Sequence, residues 1–410
     1  MDSLRNGASW LSQSIYVTLT IFFKKEIQNH ASGLALYFFL SAIPLVYFLN
    51  TIIAGHLELS KALYFLLQML HLNFMDVDFS NSSDRYYGIF RVTSWVSIAV
   101  LLWSSRGLMR SVHGAFSVIF ASPKKRNFVS TNLVALMIIP FSFMALTISV
   151  AGDDLRLLYT ASNSPVVAAS LHLASLLTPI LIIWSLCFLC FYFIPPARPR
   201  LSHTILTSLA CALLIALFQF FTNTVFRVDQ YIRIYGSLGA IIFALIWAYI
   251  VSLIFLLCTE FLRVSGNIDV IAMERIFLGS ADSGRIATRI EHMLFKRSAR
   301  LFEKYGRFCH KDDVVIRLHD DAPSIFYLYS GKIGKYETLQ GGLVRTGEVK
   351  ERELFGEIDY LLKRPSKASY IAEDECFLFA LSPEIFEALL NSNPKLSRQV
   401  VDTLCLAFPA

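Results

Sequence analysis

The stretch YGSLGAIIFALIWAYIVSLIFLLCTEF, residues 235–261, decides the architecture. No charged side chain interrupts it until Glu260. A helix needs about 20 apolar residues to cross the hydrocarbon core of a bilayer, and this run exceeds that length. Five similar runs precede it. Residues 201–226 carry only His203, residues 161–197 only His172, and residues 88–105 only Arg91, while 128–152 and 34–53 are uncharged. The composition agrees: 55% of the residues are hydrophobic, 17% are charged, and the mean hydropathy is +0.53. Soluble domains carry about 25% charged residues, so a freely soluble globular chain is excluded. From Arg263 onward the pattern changes to frequent charges and short apolar runs. The expected fold is an α-helical polytopic membrane domain of six transmembrane helices followed by a cytoplasmic α+β domain, a β-roll or jelly roll with flanking helices. The expected segments are an N-terminal amphipathic helix (1–30), the membrane domain (31–263), a helical linker (264–297) and the β-roll domain (298–410).

Lys and Arg set the orientation. Arg5, Lys24, Lys25, Arg106, Arg110, Lys124, Lys125, Arg126, Arg198 and Arg200 fall on one side of the six runs, against Lys61, Arg85, Arg156, Arg227 and Arg233 on the other. The acidic residues Glu58, Asp76, Asp78, Asp84, Asp153, Asp154 and Asp229 join the second group. The positive-inside rule places both termini, and the whole C-terminal domain, in the cytoplasm.

The N-terminal apolar stretch at residues 10–23 is broken by Ser and Gln and lacks a small-residue cleavage site, so it reads as an interfacial amphipathic helix rather than a signal peptide. A second amphipathic segment, LSKALYFLLQMLHLNF at 59–74, is expected to rest on the outer surface. Cys187, Cys190, Cys211 and Cys258 lie in spans and Cys309, Cys376 and Cys405 in the cytoplasmic part, so no disulfide framework is expected. The C-x-x-C of Cys187 and Cys190 sits inside WSLCFLCFYF, where apolar packing explains it.

Polar groups at membrane depth face a bundle interior or an aqueous cavity. Arg106, Arg110 and His113 share one helical face after the second span. They fit a grip on anionic head groups, or a charged vestibule for an anionic substrate. Gln219, Thr222 and Asn223 cluster near the outer end of the fifth span, where interhelical hydrogen bonding and substrate binding both fit. Pro44, Pro140 and Pro179 lie inside spans, where they kink a helix or open a cavity. Gly236 and Gly239 permit close helix approach in the sixth span, and Glu260 at its cytoplasmic edge is placed to pair with Arg263.

The pattern Y-G-S-x-G-A-I-I at 235–242, the mid-helix I-W-x-Y of Trp247 and Tyr249, and the terminal acidic residue resemble the YihY / virulence factor BrkB family. LALYFFLSAIPLVYFL at 34–49 resembles that family's helix with S-x-x-P at its centre. The resemblance covers about residues 10 to 265 and implies a bacterial inner-membrane protein, with roles around envelope integrity, serum resistance and lipid export. His113 departs from the Asn expected there. The family once carried a ribonuclease label, which this sequence does not support. Metal nucleases need clustered His, Asp and Glu ligands, and no two of the nine His form a metal-ligand motif. No enzyme, metal or cofactor is expected. The expected partners are membrane lipids, an anionic or lipid-like substrate and a second copy of the chain, with no nucleic acid.

Beyond a helical linker at about 268–305, the runs DVVIRL, IFYLYSGKIGKYET, LVRTGEV and CFLFALS are β-rich and separated by Gly, Asp and Pro. SPEIFEALLNS, with Ser382 as N-cap, and PKLSRQVVDTLCLA close the chain as helices. Residues 298–405 resemble the cyclic nucleotide-binding domain family. FYLYSGKIGKY matches its aromatic strand, and FGEIDYLLKRPSKASY its phosphate cassette. The resemblance implies that Gly356 and Glu357 stand where the ligand's backbone contact and ribose hydroxyl would be met, and Ser369 near the base. Asp359 occupies a position where a small residue is expected, and Ser366 the position of the phosphate-binding Arg. Lys367, in a strand, would point to the opposite face. Charge-assisted hydrogen bonds are worth about 1.5–3 kcal/mol, so losing one and adding a carboxylate weakens binding by roughly two decades or more. The fold is expected to persist and ordinary cyclic nucleotide binding to be lost. A ligand-free docking or dimerisation domain is the favoured reading, with a ligand lacking a cyclic phosphate second. For the whole chain the two readings are transport of a lipid or amphiphilic anion, and a non-transporting sensor.

Overall fold

The computed structural model describes residues 2–53, 103, 106–120, 165–195, 199–225, 237–278, 294–295, 299–320, 325–339 and 342–407. Apart from residue 103, the expected spans at 88–105 and 128–152 lie outside these residues, as do the segment at 59–74 and Pro140. The chain divides into two compact units, one of residues 16–266 and one of residues 1–15 with 267–410.

The helical part contains α1 (Asp2–Lys24), α2 (Ile27–Ile53), α3 (residues 106–120), α4 (Pro165–Phe193), α5 (Leu201–Val225) and α6 (Ser237–Leu278). Leu201–Thr222 and Ile241–Phe277 are long and apolar enough to cross a membrane. At a rise of about 1.5 Å per residue, the 42 residues of α6 run well past a hydrocarbon core of about 30 Å. Its helical geometry breaks once, at Asn267 (φ −121, ψ 18). The preceding Ser265 and Gly266 are the kind of pair at which helices kink.

Small residues set the approach of α2 to α3. A Cβ at Gly33 would sit 3.3 Å from Ser111 Oγ, and one at Gly107 would run into the Tyr37 ring. Lys25, in the turn between α1 and α2, donates to the Val118 and Ile119 carbonyl oxygens at 3.3 and 3.4 Å. Phe116, Cys187, Phe191, Cys211, Cys258 and Leu262 form one buried cluster across α3 to α6. The seven cysteines are free thiols.

The packing of α5 is inverted relative to a soluble helix. Thr204, Thr207, Ser208 and Thr222 are buried, while Leu206, Leu213, Leu217 and Phe220 are exposed, the last at 68%. On α1, Leu11, Ile15, Leu19 and Phe23 repeat every four residues on an exposed stripe, and Gln13, Ser14 and Thr18 are buried.

The C-terminal unit is a roll of two antiparallel sheets, in the orders β1-β8-β3-β6 and β2-β7-β4-β5. The strands are β1 (Gly306–Cys309), β2 (Val314–Ile316), β3 (Ile325–Ser330), β4 (Ile333–Leu339), β5 (Gly342–Val349), β6 (Leu354–Phe355), β7 (Ser369–Ala372) and β8 (Cys376–Leu381). Alternating apolar side chains from both sheets meet in one core of Cys309, Ile316, Phe326, Leu328, Ile333, Phe355, Cys376 and Leu378, among others. Gly331 turns the chain from β3 to β4 at φ +100, with its Cβ direction 2.7 Å from both Cys376 Sγ and Glu375 O. Short helices complete the roll: α7 (Ala299–Tyr305), α8 (Glu357–Leu361), α9 (Pro383–Ser392) and α10 (Pro394–Ala407). Ser382 stands at the N-cap of α9, but its hydroxyl makes no capping bond; Pro383 opens the helix.

The last turns of α6 belong to this unit. Asp269 accepts from Arg300 Nη2 at 2.6 Å, Lys304 Nζ at 2.7 Å and the Tyr305 hydroxyl at 3.1 Å. Phe277 stacks on Tyr327 with ring centroids 3.7 Å apart, and Asn393 Nδ2 donates to Glu274 Oε1 at 2.8 Å.

Candidate functional site

The cassette between β6 and β7 is built by one backbone reversal. Gly356 caps α8 at φ +83, a left-handed conformation natural to glycine. The helix lasts five residues. Lys363, at φ 49, then turns the chain back, so that residues 364–367 pass beside the helix they have just left. Lys367 lies in a bend ahead of β7 rather than in a strand. This corrects the sequence expectation for it: its side chain is exposed, and its backbone N–H is what reaches the cassette.

Asp359 is the hub. Its carboxylate, only 7% exposed, accepts from Arg364 Nε at 2.9 Å, the Ser366 hydroxyl at 3.2 Å and the Lys367 N–H at 3.4 Å. The buried Ser366 also holds the chain in register, because the His319 N–H donates to its carbonyl oxygen at 2.9 Å. Ser369 spends its hydroxyl on accepting the Leu318 N–H at 3.0 Å. Glu357 is buried beside Asp359. Burial pushes its carboxyl up to about 7, with Asp359 and Glu353 adding to the rise and its own N–H and Lys335 opposing it.

A cavity of about 810 Å³ adjoins the bend, lined by Leu318, His319, Glu337, Thr338, Pro365, Ser366 and Lys367. Sequence reasoning named Asp359 and Ser366 separately but missed Arg364. The D-x-x-x-x-R spacing of Asp359 and Arg364 is too long for a helical pair, and the turn at Lys363 that joins them was not foreseen.

The membrane-face candidates are more scattered. Arg106 and Arg110 are exposed on α3 and His113 is half-buried one turn on; Arg110 Nε donates to the Arg106 carbonyl oxygen at 3.5 Å. Gln219 is half-buried on α5, and its carbonyl oxygen accepts the Thr222 hydroxyl at 2.8 Å. Asn223 follows on the same helix. Gly239 is buried in α6, and Gly236 lies outside the described residues. Glu260 is fully buried and ion-paired with Arg263, which donates to Glu260 Oε1 through both Nε and Nη2. Burial first, and then the Arg263 charge, pulls the nearby Lys25 ammonium below its ordinary value, against the pull of Glu260. Among the described residues, no group of His, Cys, Asp and Glu could hold a metal ion.

Residues 18–269 match the virulence factor BrkB family. The chain belongs to that family. BrkB proteins are membrane-associated, in keeping with the inverted packing of α5. Residues 307–393 match the cyclic nucleotide-binding domain family. Among solved structures, the Catabolite Activator Protein of Thermus thermophilus is 24% identical, over 25% of this chain and 48% of that one, at a TM-score of 0.24. A transcriptional regulator from Thermotoga maritima is 14% identical, over 27% and 88% (TM-score 0.24). The regulatory domain of Toxoplasma gondii PKA with cAMP is 19% identical, over 29% and 44% (TM-score 0.22). A search of curated proteins found no match.

Proposed function

We propose that this BrkB-family protein is a multi-pass inner-membrane protein of six spans, both termini cytoplasmic, that moves a lipid or amphiphilic anion across the bilayer. It is not an enzyme on this reading, and its β-roll regulates or assembles the membrane part without taking cyclic nucleotides. The observation that carries the membrane half is α5: four buried hydroxyl side chains and an outward row of Leu and Phe. In water that arrangement exposes apolar area at about 25 cal/mol per Å²; in lipid it is the favourable one. The exposed Arg106 and Arg110 on α3 supply a basic face for an anionic head group. Membrane lipids and a second copy of the chain are the partners this reading admits.

The docking of α6 onto the roll through Asp269, Glu274 and Phe277 favours a second reading, a sensor that relays the state of the roll to the spans without transport. The two part in one experiment. Purified protein is placed in liposomes with a fluorescent anionic lipid, and transbilayer movement is followed by quenching of the outer leaflet. Transport predicts faster movement than in protein-free vesicles. Equal rates in vesicles verified to contain protein rule transport of that lipid class out and leave the sensor.

A further inference from the structure

Three donors from residues 364–367 close on one carboxylate. A guanidinium, a hydroxyl and a backbone N–H converging on two oxygens, as they do on Asp359, is the chemistry by which proteins hold oxyanions generally. The hydroxyl is adaptable: the single Ser366 proton can serve Asp359 Oδ2 at 3.2 Å or the Ala368 carbonyl oxygen at 2.9 Å. The group is withdrawn from bulk water, with Asp359 7% and Ser366 2% exposed. Ser366 and Lys367 also line the cavity of about 810 Å³, a volume within the range of small-molecule pockets. The same loop thus faces an internal carboxylate and a space in which a phosphate-bearing molecule would fit.

We propose that Asp359 is a built-in ligand: its carboxylate fills the oxyanion site of residues 364–367, and this residue sets the pocket's specificity against phosphate-bearing molecules. An incoming phosphate meets two obstacles. It competes with a tethered group whose effective concentration is of order millimolar or higher. Displacing that group also strands a buried carboxylate without its donors, next to a second negative charge. Both obstacles disappear when the carboxylate is removed, because Arg364, Ser366 and the Lys367 N–H remain. This deepens the reading that the roll does not take cyclic nucleotides, and rests on it.

The test is a gain of binding. Full-length protein in lipid nanodiscs is titrated calorimetrically with cyclic AMP and, separately, with inorganic phosphate, as the parent and as Asp359→Ala. The parent is expected to bind neither at micromolar levels, and the variant to bind one or both at least about tenfold more tightly, the equivalent of about 1.4 kcal/mol. Thermal unfolding checks that the variant folds. Where Asp359→Ala does not, Asp359→Asn keeps the shape without the charge and must show the gain instead. A folded variant with no gain overturns the built-in ligand while leaving the non-binding reading intact. A parent that binds cyclic AMP as well as the variant overturns both.

Discussion

Glu357→Gln should remove a pH dependence of the roll's stability that the parent carries. Burial holds the Glu357 carboxyl at about 7 in the folded roll, against an ordinary value of 4.5. The folded state therefore keeps this proton where the unfolded chain has released it. The stability this group contributes is fully present below pH 4.5 and is lost as pH rises through 7. At about 1.4 kcal/mol per pH unit of difference, the loss is about 3 kcal/mol. Gln keeps the shape and does not titrate. The stability of Glu357→Gln relative to the parent should thus rise by about 3 kcal/mol between pH 4 and pH 8, following the linkage of protons to folding. The roll supplies its own reporters, since Cys309 is 2% and Cys376 0% exposed. Urea titration of the full chain, with maleimide capture of these two thiols read by mass spectrometry, follows unfolding of this unit alone. Comparing the two proteins at each pH cancels the pH dependence of the thiol reaction. A gap that stays constant across the range would refute the assignment of a buried, proton-holding carboxyl at Glu357.

The same readout serves two further variants. Gly331→Ala places a Cβ at φ +100 against Cys376 Sγ and Glu375 O, and should lower the stability of the roll by about 2 kcal/mol or more, from backbone strain plus the clash; an unchanged urea midpoint would contradict the turn geometry. Asp269→Asn removes the charge that Arg300 and Lys304 share. It should destabilise the α6–α7 junction by about 1–3 kcal/mol, seen as faster hydrogen exchange in residues 299–305. Burial works to raise the Asp269 carboxyl, but its cationic and hydroxyl partners outweigh burial and hold it below 3.8. The contribution is therefore present above that value and fades as pH falls through the lowered one, so the deficit of the Asn variant should close in acid.

The parts of this fold written in local pattern were readable, and the parts made by the chain's return on itself were not. IFYLYS and CFLFAL announce strands because they are short apolar runs rich in aromatic residues, and they became the paired β3 and β8. β6 is two residues long and exists through its pairing with Phe326 and Tyr327, so no periodicity could reveal it. The charge change at Arg263 marks where a helical linker was expected to follow the sixth span; α6 is helical to Leu278 with one break at Asn267, because helix propensity does not stop where hydropathy does. At the cassette, Asp359 and Ser366 were read as two independent losses. Their hydrogen bond requires the turn at Lys363, which residue types alone do not specify, and with that turn Arg364 becomes a partner rather than a loop charge.

That contact changes what the roll needs in order to be ordered. A cassette of converging donors around an empty centre would be destabilised by their unmet hydrogen-bonding capacity, and an external anion would stabilise it by mass action. Here the Asp359 carboxylate accepts from Arg364, Ser366 and the Lys367 N–H, so on the built-in-ligand proposal that demand is met from within. The unit's contacts with α6 are independent of the cassette. The Phe277 ring stacks on Tyr327 and lies tilted against Phe379. The Phe277 carbonyl oxygen accepts the Tyr327 hydroxyl at 3.3 Å, and Asp269 and Glu274 are each tied to the unit by hydrogen bonds. The kink at Asn267 falls just before the first of these ties. Residues 269–277 of α6 are thereby tied into the C-terminal unit.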